Sequence, residues 1–508
     1  MLQPCENTDC LLAYWGYRVE GQAQQPISIG RRLHDLATAE PERTAFVHVR
    51  PDGTERAYAL RELDRGSSAL ATELARRGLG FGDRLGIALP NSGEFALGAY
   101  AAWKLGAVPV PMRWDLPAWE LQRLREVVDG PLHLGQGDLE WIAAAAEGAV
   151  PKLPDVVAPQ ANGICSSGST GLPKIVVSNK AGVYDELFAV PFATHWGVAV
   201  ARPQQVIVLG PMYHVNGFAC LFQLLAGDNV VVMEKFDAAR VVDKIERHRI
   251  STFNCTPTML KRIADLPGIE SRDLSSIRVI VQGAAPMPPY LARAWIDLVG
   301  GEHIFFAYGM SEALGITAAR GDEYLEHQGT VGRGLHGTEV RILDPMGEDL
   351  ASGEVGEIHL RSPVHGGSTY LGAAPQVATT PDGFSSVGDL GYLDDDGFLY
   401  VVDRRVDLII SGGANVYPAE VEIALMDHPK VADVVVIGLR DDEWGRRVHA
   451  IVEPADPADP PSFDEVRAYA KSRLAPYKVP KSLEVIPEIP RSAATKVNRG
   501  ALVAERGG

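Results

Sequence analysis

Between residues 29 and 150, short apolar runs alternate with longer stretches whose apolar positions recur at helical spacing. Residues 44–49 predict a strand and residues 60–77 an amphipathic helix. Residues 84–89 predict a second strand that stops at Pro90-Asn91-Ser92, followed by a helix over 95–105 and an apolar run at 107–110. The middle of the chain repeats the pattern, with strands over 205–209, 229–233 and 252–255 and helices over 218–225 and 238–248. Two more strands, 277–282 and 303–306, each lead into a glycine-containing loop. This alternation is the rhythm of an α/β sheet with crossover helices.

From Gly329 to Arg361 the pattern turns β-rich, with turn signals at residues 344–347 and at Ser352-Gly353. A break near Asp403-Arg404 introduces a compact α/β segment. There Ser462 and Glu465 form a capping box for a helix with Val466, Tyr469, Ala470 and Leu474 facing inward. The expected organisation is an extension (1–28), a large N-terminal domain of α/β sheets plus a β-rich subdomain (29–403), and a small α+β C-terminal domain (404–508).

Composition narrows the chemistry. At 46% hydrophobic and 22% charged residues, the chain reads as an ordinary soluble protein. A formal net charge of −17 argues against nucleic acid and against an anionic membrane surface as partners. Any anionic ligand must therefore be drawn in by a local site. The five cysteines are irregularly spaced, which fits a reducing cytoplasm, and Cys5 and Cys10 lack companions at metal-binding spacing. The longest apolar stretch, 206–226, is interrupted by Pro211, His214, Asn216 and Gln223 and reads as buried core rather than a membrane span.

The densest chemical signal is Ser166-Ser167-Gly168-Ser169-Thr170-Gly171-Leu172-Pro173-Lys174. Glycines let backbone N–H groups approach an anion, while hydroxyls and a lysine add charge-assisted hydrogen bonds, so a polyphosphate is the natural ligand. No Ser or Thr follows Lys174, so the spacing is not that of an ATPase P-loop. A strand over 161–165 is expected before this run, and Ser178 is expected to cap a helix carrying Val183, Leu187 and Val190.

Further runs combine glycine, acid and aromatic residues: Tyr308-Gly309-Met310-Ser311-Glu312, Ser386-Val387-Gly388-Asp389, Asp403-Arg404-Arg405-Val406-Asp407, Ser411-Gly412-Gly413-Ala414-Asn415 and Ser492-Ala493-Ala494-Thr495-Lys496. Together and in this order they resemble the adenylate-forming superfamily of acyl-CoA synthetases, nonribosomal-peptide adenylation domains and firefly luciferase. The resemblance spans residues 30–505.

It implies ATP, Mg²⁺ and coenzyme A as ligands and two half-reactions: a carboxylate attacks the α-phosphate to give acyl-AMP, and a thiol then displaces AMP. The resemblance assigns Ser166, Ser167, Gly168, Ser169, Thr170, Gly171 and Lys174 to the β- and γ-phosphates. It places Gly283, Ala284, Ala285 and Pro286 beside the adenine, with the Tyr308 ring stacked on it and Gly309, Met310 and Ser311 in the same nucleotide loop. Glu312 would ligate Mg²⁺, and Asp389 would accept from the ribose hydroxyls with Arg404 assisting. Lys496 would bridge the carboxylate and the α-phosphate, and His214 would line the acyl pocket and gate the thiol tunnel. The small domain would then rotate about 404–407 and bring the Gly413 loop to the site.

Small residues between His214 and Phe222, at Gln282–Ala284 and from Phe306 to Leu314 would line a roomy acyl pocket, and Val215 stands where amino-acid-activating relatives carry an Asp. The run Val108-Pro109-Val110-Pro111-Met112-Arg113-Trp114-Asp115 resembles the bile-acid and steroid-acid CoA ligase branch. A bulky alicyclic or terpenoid acid is therefore expected first, a fatty acid second and an aryl acid third.

Four positions depart from the family pattern: Ile175 and Thr495 stand where relatives carry Gly, Val406 where the pivot is charged, and Ala414 where the run reads Gly-Gly-Glu-Asn. Three of the four fall in the small domain, so adenylation is expected to be intact and thiol transfer altered. The alternatives are transfer of the acyl group to a carrier protein or a second ligase, and a non-catalytic binding protein on this fold. Homodimers are common among such relatives.

Overall fold

The structure, a computed structural model, describes residues 27–166, 174–184, 192–364, 367–372, 376–404, 407–491 and 497–507. Its centre is a nine-stranded sheet ordered Arg333–Gly334, Ile316–Arg320, Ile304–Gly309, Val279–Gln282, Thr252–Cys255, Gln205–Val208, Asn229–Met233, Thr44–Val49, Glu55–Ala59. The six strands from Ile304–Gly309 to Thr44–Val49 run parallel, and antiparallel strands close both ends.

A parallel sheet covered by helices on both faces needs apolar residues pointing both ways. Val206, Val208, Val230 and Val232 enter one core with the helices Leu60–Arg76 and Gly93–Lys104. Ile207, Leu209, Val231 and Met233 enter the other with Val241, Ile245, Leu260 and Trp295. This strict alternation explains why the middle strands read as unbroken apolar runs.

The parallel strands all deliver their carboxyl ends to one edge, where ligands of open α/β sheets bind. Gln282 pairs with Phe306, so the loop at 283–286 and the aromatic Tyr308 emerge side by side. A second, three-stranded sheet joins Gly163–Ser166, Lys174–Ser178 and Ser368–Leu371. A β-rich sheet follows, in which Asp389–Leu393 pairs with Leu399–Arg404.

Past Arg404 the hairpin Ile409–Ser411/Ala414–Val416 joins the long pair Val431–Asp441/Gly445–Pro454, with Ser482–Val485 alongside. Val434, Val436, Val448, Ala450 and Val452 pack on one side with Val421 and Val466, while Val435, Ile437, Leu439 and Ile451 meet Ile489 and Leu502 on the other. The capping box at Ser462 and Glu465 is present, and its helix runs Phe463–Lys471. Among the described residues no helix is long and apolar enough to cross a membrane.

Two expected elements differ. Ser178 ends a strand instead of capping a helix, its Oγ accepting from the Lys180 N–H at 3.1 Å, and Val183 lies in a short strand paired with Ser28. The β-branched run Ile175-Val176-Val177 favours extended backbone and finds partners on both sides. Leu187 and Val190 lie outside the described residues. The helix expected over 218–225 is divided into Val215–Phe218 and Cys220–Leu225. At Gly217 a Cβ would sit 2.1 Å from the Pro211 carbonyl oxygen, so only glycine permits that approach.

Candidate active site

Lys174 opens the strand Lys174–Ser178, and its Nζ lies 3.3 Å from Glu312 Oε1 and 3.9 Å from the centre of the Tyr370 ring. Tyr370 donates its hydroxyl to the same Oε1 at 2.6 Å. Two residues earlier on the same face of the strand, Ser368 Oγ donates to the Glu312 main-chain carbonyl at 2.7 Å. Glu312 is thus held at both ends by one strand and is only 7% exposed. Both side-chain contacts fall on Oε1, and Oε2 has no hydrogen-bond partner among the described residues. Burial, and then the bond to Glu312, push the Tyr370 phenol well above its ordinary value, so it stays a donor.

A second cluster adjoins the first. Tyr308 donates to Asp389 Oδ2 at 2.8 Å, and Arg404 Nε lies 3.4 Å from Asp389 Oδ1. The register explains this, since Asp389 and Arg404 stand opposite each other on paired strands. Asp389 is buried, whereas the Arg404 side chain is half exposed. Burial pushes the Tyr308 phenol well above its ordinary value; Asp389 adds to the shift, Arg404 opposes it and Glu312 adds a smaller part. The two clusters therefore share one neighbourhood.

The loop beyond Gln282 is braced by that residue's own amide, which donates to the carbonyls of Ala285 at 2.8 Å and Gly283 at 3.3 Å. Ala284 adopts φ +69°, a left-handed conformation that is uncommon without glycine, and Ala313, next to Glu312, adopts φ +51°. Ala284, Ala285 and Pro286 are exposed, as is Gly309, while Met310 and Ser311 are half-buried.

His214 precedes the helix Val215–Phe218, is half-buried, and its ring stands 4.8 Å from that of Tyr213. Tyr213 is buried, its hydroxyl has no partner among the described residues, and burial pushes its phenol up to about 12. Asn91 fixes the backbone leading here: its amide donates to Gly210 and Met233 carbonyls at 3.0 and 2.9 Å and accepts from the Met212 N–H at 2.6 Å.

Gly413 lies on the turn of the hairpin Ile409–Ser411/Ala414–Val416. Gly412 and Gly413 have φ +59° and +81°, the positive values that a type I′ hairpin turn requires of both central residues. Ala414 is the paired strand position that follows that turn, opposite Ser411. Ile175 is fully buried with Val110, Met112 and Val177, so its side chain points into the core. Residues 167–171, Val406, Thr495 and Lys496 lie outside the described residues, as does the Ser166 side chain.

Tyr370, Ser368 and Asn91 were not assigned a site role from the sequence, and Gln282 was read there only as a pocket-lining residue. For Asn91 the signal was the Pro-Asn-Ser stop after a strand. Among the described residues no group of three or more His, Cys, Asp and Glu side chains could hold a metal alone.

The sequence matches the AMP-binding enzyme family over residues 33–157 and 143–371 and the AMP-binding enzyme C-terminal domain over 420–496. It is 34% identical to a feruloyl-CoA synthase of an Amycolatopsis species, covering 91% of this chain and 96% of that one. It is 32% identical to the 2-succinylbenzoate–CoA ligase of Bacillus subtilis, covering 94% and 98%. Among solved structures, the o-succinylbenzoate CoA synthetase from Bacillus subtilis in complex with its acyl-adenylate intermediate superimposes with a TM-score of 0.79 at 29% identity, over 95% of this chain and 98% of that one. The chain therefore belongs to the AMP-binding enzymes, the adenylate-forming acid–thiol ligases.

Proposed function

We propose that this enzyme activates a carboxylic acid with Mg-ATP to an acyl-adenylate and transfers the acyl group to coenzyme A. The observation that carries the reading is Glu312, a buried carboxylate with Lys174 on one oxygen and the other uncommitted among the described residues. That arrangement suits Mg²⁺, which binds through one or two carboxylates plus substrate phosphates and needs no all-protein cage. The o-succinylbenzoate CoA synthetase from Bacillus subtilis has a structure in complex with ATP and a magnesium ion, which supports the same ligands here. Bound at Glu312, the cation would neutralise phosphate charge.

In this reading Lys174, at the start of its strand beside Glu312, contacts the phosphates together with the residues of the run 166–171. Asp389 accepts from the ribose hydroxyls: each carboxylate oxygen has two acceptor sites, so the bond from Tyr308 leaves room. Tyr308 presents its ring beside the loop at 283–286, where the adenine fits. Lys496 offsets the negative charge that gathers on phosphorus as the carboxylate attacks. The small domain, with a boundary at 403–404, then turns so that the Gly413 hairpin faces the adenylate.

For the acid, the small and apolar residues in the sequence around His214 and Val215 support a bulky ring-bearing body, alicyclic or terpenoid first, with fatty and aryl acids as competitors. The names of relatives, feruloyl-CoA synthase, 2-succinylbenzoate–CoA ligase and long-chain-fatty-acid–CoA ligase, span the last two classes. A pyrophosphate-release screen over acids of all three classes, with CoA and holo-carrier protein as rival acceptors, tests acid and acceptor together. Faster acyl transfer to a carrier protein than to CoA would overturn the CoA assignment.

A further inference from the structure

We propose that Tyr370 is a positioning residue for the metal carboxylate, holding Glu312 so that Oε2 alone is offered to the cation. This rests on the reading of Glu312 as the Mg²⁺ ligand. Tyr370 and Lys174 converge on Oε1, at 2.6 and 3.3 Å. A carboxylate fixed through one oxygen presents the other in a single direction, which a cation demanding near-ideal octahedral geometry requires.

The scaffold supports that role. Tyr370 is buried, and its main chain pairs with Val176 in the strand that begins at Lys174. The same strand holds the backbone of Glu312 through Ser368. Lys174 and Tyr370 therefore move as parts of one small sheet, and the phosphate-loop lysine and the metal carboxylate are set by one element. The Tyr370 ring also carries Lys174 on its face, a second contact that phenylalanine would keep. The hydroxyl and the ring are thus separable by substitution.

The test compares wild type, Tyr370→Phe, Glu312→Gln and the double variant. Affinity for Mn²⁺ in the presence of α,β-methylene-ATP is read by electron paramagnetic resonance, beside the Mg²⁺ dependence of pyrophosphate release. Loss of the hydroxyl is expected to weaken Mn²⁺ binding roughly tenfold, as loss of an outer partner of a metal ligand does. The KM for the carboxylic acid is expected to stay unchanged. In the Glu312→Gln background the same substitution should have no further effect. Unchanged Mn²⁺ affinity in Tyr370→Phe, or an equal loss with and without Glu312, would overturn the proposal. If wild type itself releases no pyrophosphate with any acid, the reading beneath it fails instead. Should Tyr370→Phe not fold, Ser368→Ala must still weaken Mn²⁺ binding, and unchanged affinity there overturns the proposal.

Discussion

Arg491 and Val497 form an antiparallel bridge on either side of the segment that carries Lys496. Each shoulder is anchored to the sheet of the small domain. Arg491 reaches Asp433 at 2.7 Å, and Arg499 makes two bonds of 2.8 Å to Glu422, whose Oε1 also accepts from the Val436 N–H. Asn498 caps the helix Arg499–Glu505 between them. The residues on both sides of that segment therefore form a braced base.

That base makes a first prediction. Arg491→Gln loosens the mounting without touching the nucleotide clusters, so adenylation should slow roughly tenfold through misplacement of Lys496. Thiol transfer from preformed acyl-adenylate should change little, because in the proposed scheme Lys496 takes part in the first half-reaction alone. Single-turnover rates of the two steps separate the outcomes, and an equal loss in both would count against the mounting.

Asp389 makes a second. Its carboxylate takes the Tyr308 hydroxyl at 2.8 Å, and in the proposed complex the ribose as well. Asp389→Asn removes charged acceptors worth about 1.5–3 kcal/mol each, so KM for ATP should rise about 10- to 100-fold. The KM for the acid should move far less, which steady-state kinetics with each substrate varied in turn will show.

Asp403 supplies a pH dependence. It accepts from the N–H groups of Arg404 and Ala419, the latter in the first turn of the helix Pro418–Met426 across the junction, and is only 8% exposed. Burial raises its carboxyl to about 6, against 3.8 for the free group. The folded state then binds the proton more tightly than the unfolded one, so stability falls as pH rises from about 4 to about 6. The effect is on the order of 2–3 kcal/mol. Asp403→Asn should flatten that part of the pH–stability curve in thermal melts; an unchanged slope would refute the assignment.

How much of this was legible in the sequence depends on the range of the interaction. Strand and helix positions came through where burial on both faces forces apolar runs, as at 205–209 and 229–233. The capping box at Ser462 came through because it closes over three residues. Tyr370 did not, because its partner Glu312 is 58 positions away and pairing across a sheet leaves no local signature. Ser178 misled because a hydroxyl before an apolar stretch suits a helix cap and a strand end equally. Ile175 stood out only as a departure from the family pattern, and nothing in the sequence showed that its side chain fills a core between two sheets.

The junction gives a fourth prediction. In the proposed scheme the small domain alternates between the two half-reactions about 404–407, where Val406 stands in place of a charged residue. Val406→Asp should speed acyl transfer to CoA severalfold while leaving pyrophosphate release within twofold. A parallel change in both rates would place the limiting step elsewhere.

The most direct test of the account is pyrophosphate release measured with Mg-ATP across a panel of alicyclic, fatty and aryl acids, for wild type and Lys496→Ala. The account predicts release that requires both the acid and Mg²⁺ and falls about 10²–10³-fold in the variant. Release that no acid stimulates, or that Lys496→Ala leaves untouched, would contradict it.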